Sequence, residues 1–200
     1  MAEQTEHRGD WTTFFGMIAT STIVMFFLMY QLVYEPSHLY FSLNRFLSSL
    51  ASGAVMTIVM LGFMWRMYGP RRTKLFVTTA AVIAAVALLF VNRTQALISD
   101  ETYMESMIPH HSIAINNSRK ASISDPRVRE LADGIIAAQV KEIAQMQLLL
   151  EDIQANGEMG DGSPLPPRTA ELTPELFQDA KAAVGRPLGP DAREEVSVGE

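Results

Sequence analysis

Two methionines and two histidines, Met104, Met107, His110 and His111, stand within eight residues of one another. A second group, Gln139, Glu142 and Met146, follows at spacings of three and four. Thioether and imidazole are soft to borderline donors that suit Cu(I). Met107 stands three residues before His110 and four before His111, separations at which side chains meet on a helix. The chain has no cysteine, which removes disulfides, thiolate zinc sites and cysteine nucleophiles. Soft-metal chemistry would therefore rest on Met and His alone. The same residues also have a structural reading, in which a histidine on an apolar face is satisfied by a packing hydrogen bond. Spacing leaves both open.

Several function classes are excluded at once. The net charge is −6 and the basic residues form no run or stripe, which argues against nucleic acid as a partner. No phosphate loop and no nucleophile–base pair is present, so neither nucleotide binding nor hydrolysis has a motif; a non-enzymatic role is favoured and the enzyme question stays open.

The donors need helices to position them. On a helical wheel Met104, Met107, Ile108, His111 and Ile115 share one face, with His110 at its flank. Pro109 lacks an N–H and crowds the carbonyl four residues earlier, so it is expected to kink this helix or restart it. Asp125 caps a second helix and Pro126 fills its first turn. That helix runs to about Ile153, with Leu131, Ile135, Ile136, Gln139, Val140, Ile143, Met146 and Leu150 on its apolar arc and Glu142 at the edge. The two helices are expected to pair as an antiparallel hairpin. Gln139 and Glu142 then need partners, since burying such groups unpaired costs about 1–3 kcal/mol. The histidines opposite are the candidates, either as a network that fixes helix register or with Glu142 orienting a metal-bound imidazole.

Before this hairpin lie charge-free runs of 24, 20 and 18 residues, bounded by Asp10 and Glu35, Arg45 and Arg66, and Lys74 and Arg93. Each is long enough for a helix to cross a hydrocarbon core of about 30 Å. Trp11, Tyr30, Tyr34, Trp65 and Tyr68 mark their ends, where amphipathic rings favour the interface. The second connection carries Arg66, Arg71, Arg72 and Lys74 and the first only Arg45, which puts the second in the cytoplasm. The amino terminus is then cytoplasmic and everything after Val91 is outside. Polar sequence after Asn92 shows no breaker before Pro109, so the third span is expected to continue as a helix into the head. In the second span Met56, Met60, Met64 and Met67 form a stripe, read as apolar packing or as a thioether ladder across the bilayer. Ser49 and Gly53 mark a close helix contact.

Residues 155–200 hold nine acidic and four basic side chains among repeated Gly and Pro, which favours disorder. One short helix is expected from Pro174 to about Val184, capped by Thr173 and ended at Gly185. Met159 stands alone among glycines and acids.

The stretches MIPHHSIAI at 107–115 and DPRVRELADGIIAAQVKEIAQM at 125–146 resemble the family called domain of unknown function 305 (DUF305). The resemblance implies a ferritin-like, extracytoplasmic helical domain, some of whose members bind copper or silver through Met and His and support metal tolerance. Carried over by position, it points to Met107, His110, His111 and Met146 as ligands, with Gln139 and Glu142 as matching motif positions. Where the family often has a methionine after the histidine pair, this chain has Asn116 and Asn117.

The expected architecture is all-α: a short cytoplasmic terminus (1–10), a three-helix membrane anchor (11–92), a helical hairpin (93–154) and an acidic tail (155–200). The expected protein is multi-pass in a bacterial inner (plasma) membrane, with a periplasmic head that captures Cu(I) or Ag(I) for tolerance or delivery. The metal set is Met104, Met107, His110, His111 and Met146, backed by Gln139 and Glu142. Its partners are the lipid bilayer, the metal ion and a second copy, because one hairpin buries little apolar surface and a homodimer would complete a four-helix bundle. Two alternatives stand beside this. One is a structural or partner-binding membrane protein whose His pair serves packing. The other is a ferritin-like di-iron oxidase, for which the chain lacks a Glu-x-x-His pair and would have to assemble Glu101, Glu105 and Glu142 across an oligomer.

Overall fold

A computed structural model of the chain describes residues 9–167 and 170–185, which form six α-helices and no strand. The expectations for the first eight residues, for 168–169 and for the tail beyond Gly185 lie outside the described residues.

Helix α1 (Trp11–Leu28) starts at Asp10, whose carboxylate accepts the Thr12 and Thr13 N–H groups. The apolar run continues to Tyr34, but the chain leaves the helix earlier: Tyr30 and Gln31 donate to the carbonyls of Phe27 and Leu28, three residues back. Helix α2 (Leu43–Phe63) starts at Ser42, and α3 (Arg71–Thr94) starts inside the basic stretch, taking Arg71, Arg72 and Lys74 into its first turn. All three are long and apolar enough to cross a membrane. Their large side chains, Phe63, Phe76 and Phe90 among them, face outward, a surface that calls for apolar surroundings.

Small residues bring the apolar helices together. Ser49 and Gly53 of α2 are buried, and a Cβ on Gly53 would stand 2.4 Å from Thr22 Oγ1 of α1. Asn92 of α3 donates to Ser48 Oγ of α2 at 3.0 Å. At one end Phe14, Leu61 and Tyr68 form a core whose edge is filled by Met56, Met60 and Met64. Three of the four stripe methionines thus act as packing, while Met67 is exposed. The Gly9 N–H donates to Met67 O at 2.9 Å and Trp11 Nε1–H to Gly69 O at 2.9 Å, so the start of α1 and the α2–α3 connection share this end.

The third apolar helix does not continue into the head, contrary to the expectation from its sequence. It closes at Thr94, Gln95 takes a left-handed conformation (φ 55°), and helix α4 (Asp100–Lys120) begins afresh. The reason is a reciprocal cap. Thr102 Oγ1 accepts the Ser99 N–H at 2.7 Å and Ser99 Oγ accepts the Thr102 N–H, while Asp100 and Glu101 occupy the positive end of the dipole. Helix α4 then runs through the buried Pro109 instead of restarting there.

Helix α5 (Pro126–Asn156) is capped by Asp125 and closes at Gly157, whose φ of 82° suits glycine. Helix α6 (Pro174–Gly185) forms where expected; Thr173 accepts the Leu176 and Phe177 N–H groups through its hydroxyl and carbonyl. Arg129 reaches the Ser118 carbonyl at one end of the α4–α5 pair, and His111 meets Glu142 near its middle, so the two helices run antiparallel. Met104, Ile108 and Ile115 pack against Ile143 and Leu150. The rest of the expected α5 arc is only partly used. Leu131 and Val140 remain exposed, because the shorter α4 covers one side of a 31-residue helix.

Candidate functional site

Capping and register place the donors. With α4 fixed at Ser99 and α5 at Asp125, one face of each helix opens onto a shallow cleft of about 600 Å³. Tyr103, Met107 and His111 line it from α4; Glu142, Gln145, Met146 and the leucines Leu148 and Leu149 line it from α5. Four of the residues singled out by sequence, Met107, His111, Glu142 and Met146, therefore share one site. Three do not line it. Met104 is buried in the head core, His110 is exposed at its flank with its ring 6.1 Å from that of His111, and Gln139 lines a separate groove on α5.

His111 is held at both nitrogens. Nδ1 lies 2.9 Å from the Met107 carbonyl, one turn back, and Nε2 lies 2.9 Å from Glu142 Oε2. Gln139 Nε2 donates to the same carboxylate oxygen at 3.2 Å. A carbonyl oxygen only accepts, so Nδ1 carries the proton in this arrangement. The contact to Glu142 is then either an N–H donated by a doubly protonated ring or a proton donated by the carboxyl. The Glu142 side chain is about half exposed, so this pair contributes about 1 kcal/mol or less.

The donor types are those that a soft ion takes. Two thioethers face one cleft with one imidazole, and Glu142 is exposed enough to turn out to solvent and free Nε2. The set does not fit a hard or carboxylate-rich centre: no group of three or more His, Asp or Glu comes together among the described residues. Glu105 sits part-buried on α4, where burial first and the charge of Glu101 second raise its pKa. Asp125 is pulled the other way. The Arg127 side chain and backbone N–H hold its carboxyl at about 2.

Sequence reasoning missed a second set of contacts, between α4 and the connection from α1 to α2. Ser112 is fully buried; its hydroxyl accepts the Tyr34 N–H at 2.8 Å and lies 3.0 Å from His38 Nδ1. Arg119 donates to the Tyr34 hydroxyl and its guanidinium lies 5.0 Å from that ring's centroid. Tyr34 and Tyr40 complete the head core. The signal was a serine on the inner side of α4 and a loop with three tyrosines and one histidine. The Glu35–His38–Ser112 sequence of contacts resembles a nucleophile with its base, but Ser112 has no exposed surface, and the Glu35 carboxylate stands 4.0 Å from His38 Nε2. It is a strut.

Residues 99–186 match the family described as domain of unknown function DUF305. This segment is a DUF305 domain. It begins at the α4 cap, holds the whole cleft, and extends past the hairpin to the end of α6. The chain is also 40% identical over 86 residues to an uncharacterized protein of Acanthamoeba polyphaga mimivirus, covering 42% of this chain. It spans about half that relative's length, 55%. No solved structure matches the chain.

Proposed function

We propose that the DUF305 head binds a soft monovalent cation, Cu(I) or Ag(I), between α4 and α5 on a membrane anchor, for metal tolerance or delivery. The supporting observation is that Met107 and Met146, from different helices, line one cleft with His111. The thioethers would hold the ion and His111 would join when Glu142 releases its Nε2 nitrogen. Gln139, bonded to Glu142, would steady the carboxylate in its turned-in position. Met104 and His110 contribute packing and a flank to this site instead of lining it.

The membrane reading rests on three long apolar helices and on which ends meet. The start of α1 contacts the α2–α3 connection at Gly9, and α4 contacts the α1–α2 connection, as three crossings require. The positive-inside bias then makes the Arg71–Lys74 side cytoplasmic and the head extracytoplasmic, in a bacterial inner membrane. Exposed Tyr103, Leu148 and Leu149 around the cleft support a second copy of the head as partner.

A structural reading has its own observation: both nitrogens of His111 are already engaged, as a register lock between α4 and α5 would be. One experiment separates the two. The full-length protein in detergent is titrated anaerobically with Cu(I) against a competing chelator, beside Met107→Leu/Met146→Leu, which conserves volume. Binding in the parent that is lost in the double variant, with helicity equal in both, supports the metal head. Equal binding by both, or none by a folded parent, sinks it and leaves the register lock.

A further inference from the structure

The head has a second groove that the metal reading does not use. It lies on the amino-terminal half of α5, away from the cleft, with a volume of about 780 Å³. Val128, Leu131, Ile135 and Ala138 line its α5 side, at spacings of three, four and three that make one stripe of a helix. Gly134 lies among them with nothing within 4 Å of where its Cβ would be. Leu131 is 66% exposed, a cost for a large aliphatic side chain in water.

The opposite wall of the groove is α6, which contributes Ala180 and Ala183. Leu176 and Phe177 stand four and three residues before Ala180, so they belong to the same stripe, and both are about half exposed. Glu175, Gln178, Asp179 and Lys181 occupy the rest of the helix surface. Two amphipathic helices thus face each other across a gap that neither fills. The connecting residues 157–173 are long enough to allow closure. Seventeen residues reach up to about 56 Å, whereas Gln139 and Asn156 are about 26 Å apart along α5.

We infer that α6 is the third helix of the head and that it docks, in the same chain, into the α5 groove with Leu176 and Phe177 seated against Val128, Leu131 and Ile135. The extent of the DUF305 match carries this independently of metal binding, since it takes in α6 and its connection and stops at residue 186. The docked helix would cover the α5 side that α4 leaves open. It would also border Gln139, which lines the groove and donates to Glu142.

The absence of cysteine makes the test direct. Leu131→Cys and Ala180→Cys are introduced together in the full-length protein in detergent and treated with a short bismaleimide. Leu148→Cys with Ala180→Cys, whose α5 position lies on the metal cleft, is treated alongside. Docking in the same chain gives a crosslinked monomer from the first pair and none from the second. A crosslinked dimer alone means that a second copy occupies the groove and overturns the inference. No product from the first pair, with both thiols still reactive, assigns the groove to a separate ligand or to solvent and overturns it equally. Deletion of 170–185 gives a second readout: an apolar dye should bind at least severalfold more brightly once α6 is gone, and unchanged fluorescence counts against docking.

Discussion

His111 Nε2 and Glu142 Oε2 stand 2.9 Å apart and join α4 to α5 across the mouth of the cleft. The bond makes the carboxylate a competitor for the nitrogen that a metal would use. Glu142→Gln weakens that competition while keeping shape. Cu(I) affinity is expected to rise by up to about fivefold, the equivalent of the roughly 1 kcal/mol a half-exposed ion pair supplies. A chelator competition on parent and variant measures it. A fall in affinity would make Glu142 a group that supports the bound imidazole.

Ser112 fastens the head to the anchor. Ser112→Ala leaves the Tyr34 N–H and His38 Nδ1 facing a methyl group in a buried place. The expected cost is about 1–3 kcal/mol. It should appear as a lower melting temperature in detergent and faster proteolysis between α1 and α2. Retained stability would show that water replaces the hydroxyl.

Gly53 sets the approach of α1 to α2. Gly53→Ala places a methyl 2.4 Å from Thr22 Oγ1, too close for contact, so the helices must separate or Thr22 must turn. The single change is expected to destabilise by about 1–3 kcal/mol, as overpacking does. Thr22→Ala in the same chain should restore most of the loss, and thermal melts of the two singles and the double give the coupling.

Asp125 makes the start of α5 sensitive to acid. Its folded pKa, about 2, lies below the ordinary 3.8 because Arg127 bonds the ionised form. A depressed carboxyl pKa stabilises the folded state above the unfolded value, and that stability is lost as pH falls through the folded one. The pair is exposed to solvent, so a small loss of helicity, from fraying at the start of α5, is expected between pH 4 and 2. Asp125→Asn, which keeps a capping oxygen but cannot ionise, should show a flatter acid profile across that window. Circular dichroism at steps of pH reads both.

The three apolar helices, the Asp125 and Thr173 caps and the helical spacing of the donors were legible because each depends on local chemistry or on a run of one residue character. The Ser99 cap was equally local, and its Ser-Asp-Glu-Thr run was the sign that the third apolar helix would close before the head. Which donors meet was not legible. Met104 and Met107 share a helical face, yet the first sits in the core and the second on the cleft, a choice made by where α5 crosses α4. His110 and His111 are adjacent, and the same crossing gives Glu142 to one and solvent to the other. The struts from Tyr34 and His38 to Ser112 join residues 78 and 74 positions apart, beyond any periodic pattern. Local hydrogen bonding and hydrophobic periodicity are written residue by residue; the side of a helix that another element covers is settled only by packing, and that decided which methionines and which histidine face one another.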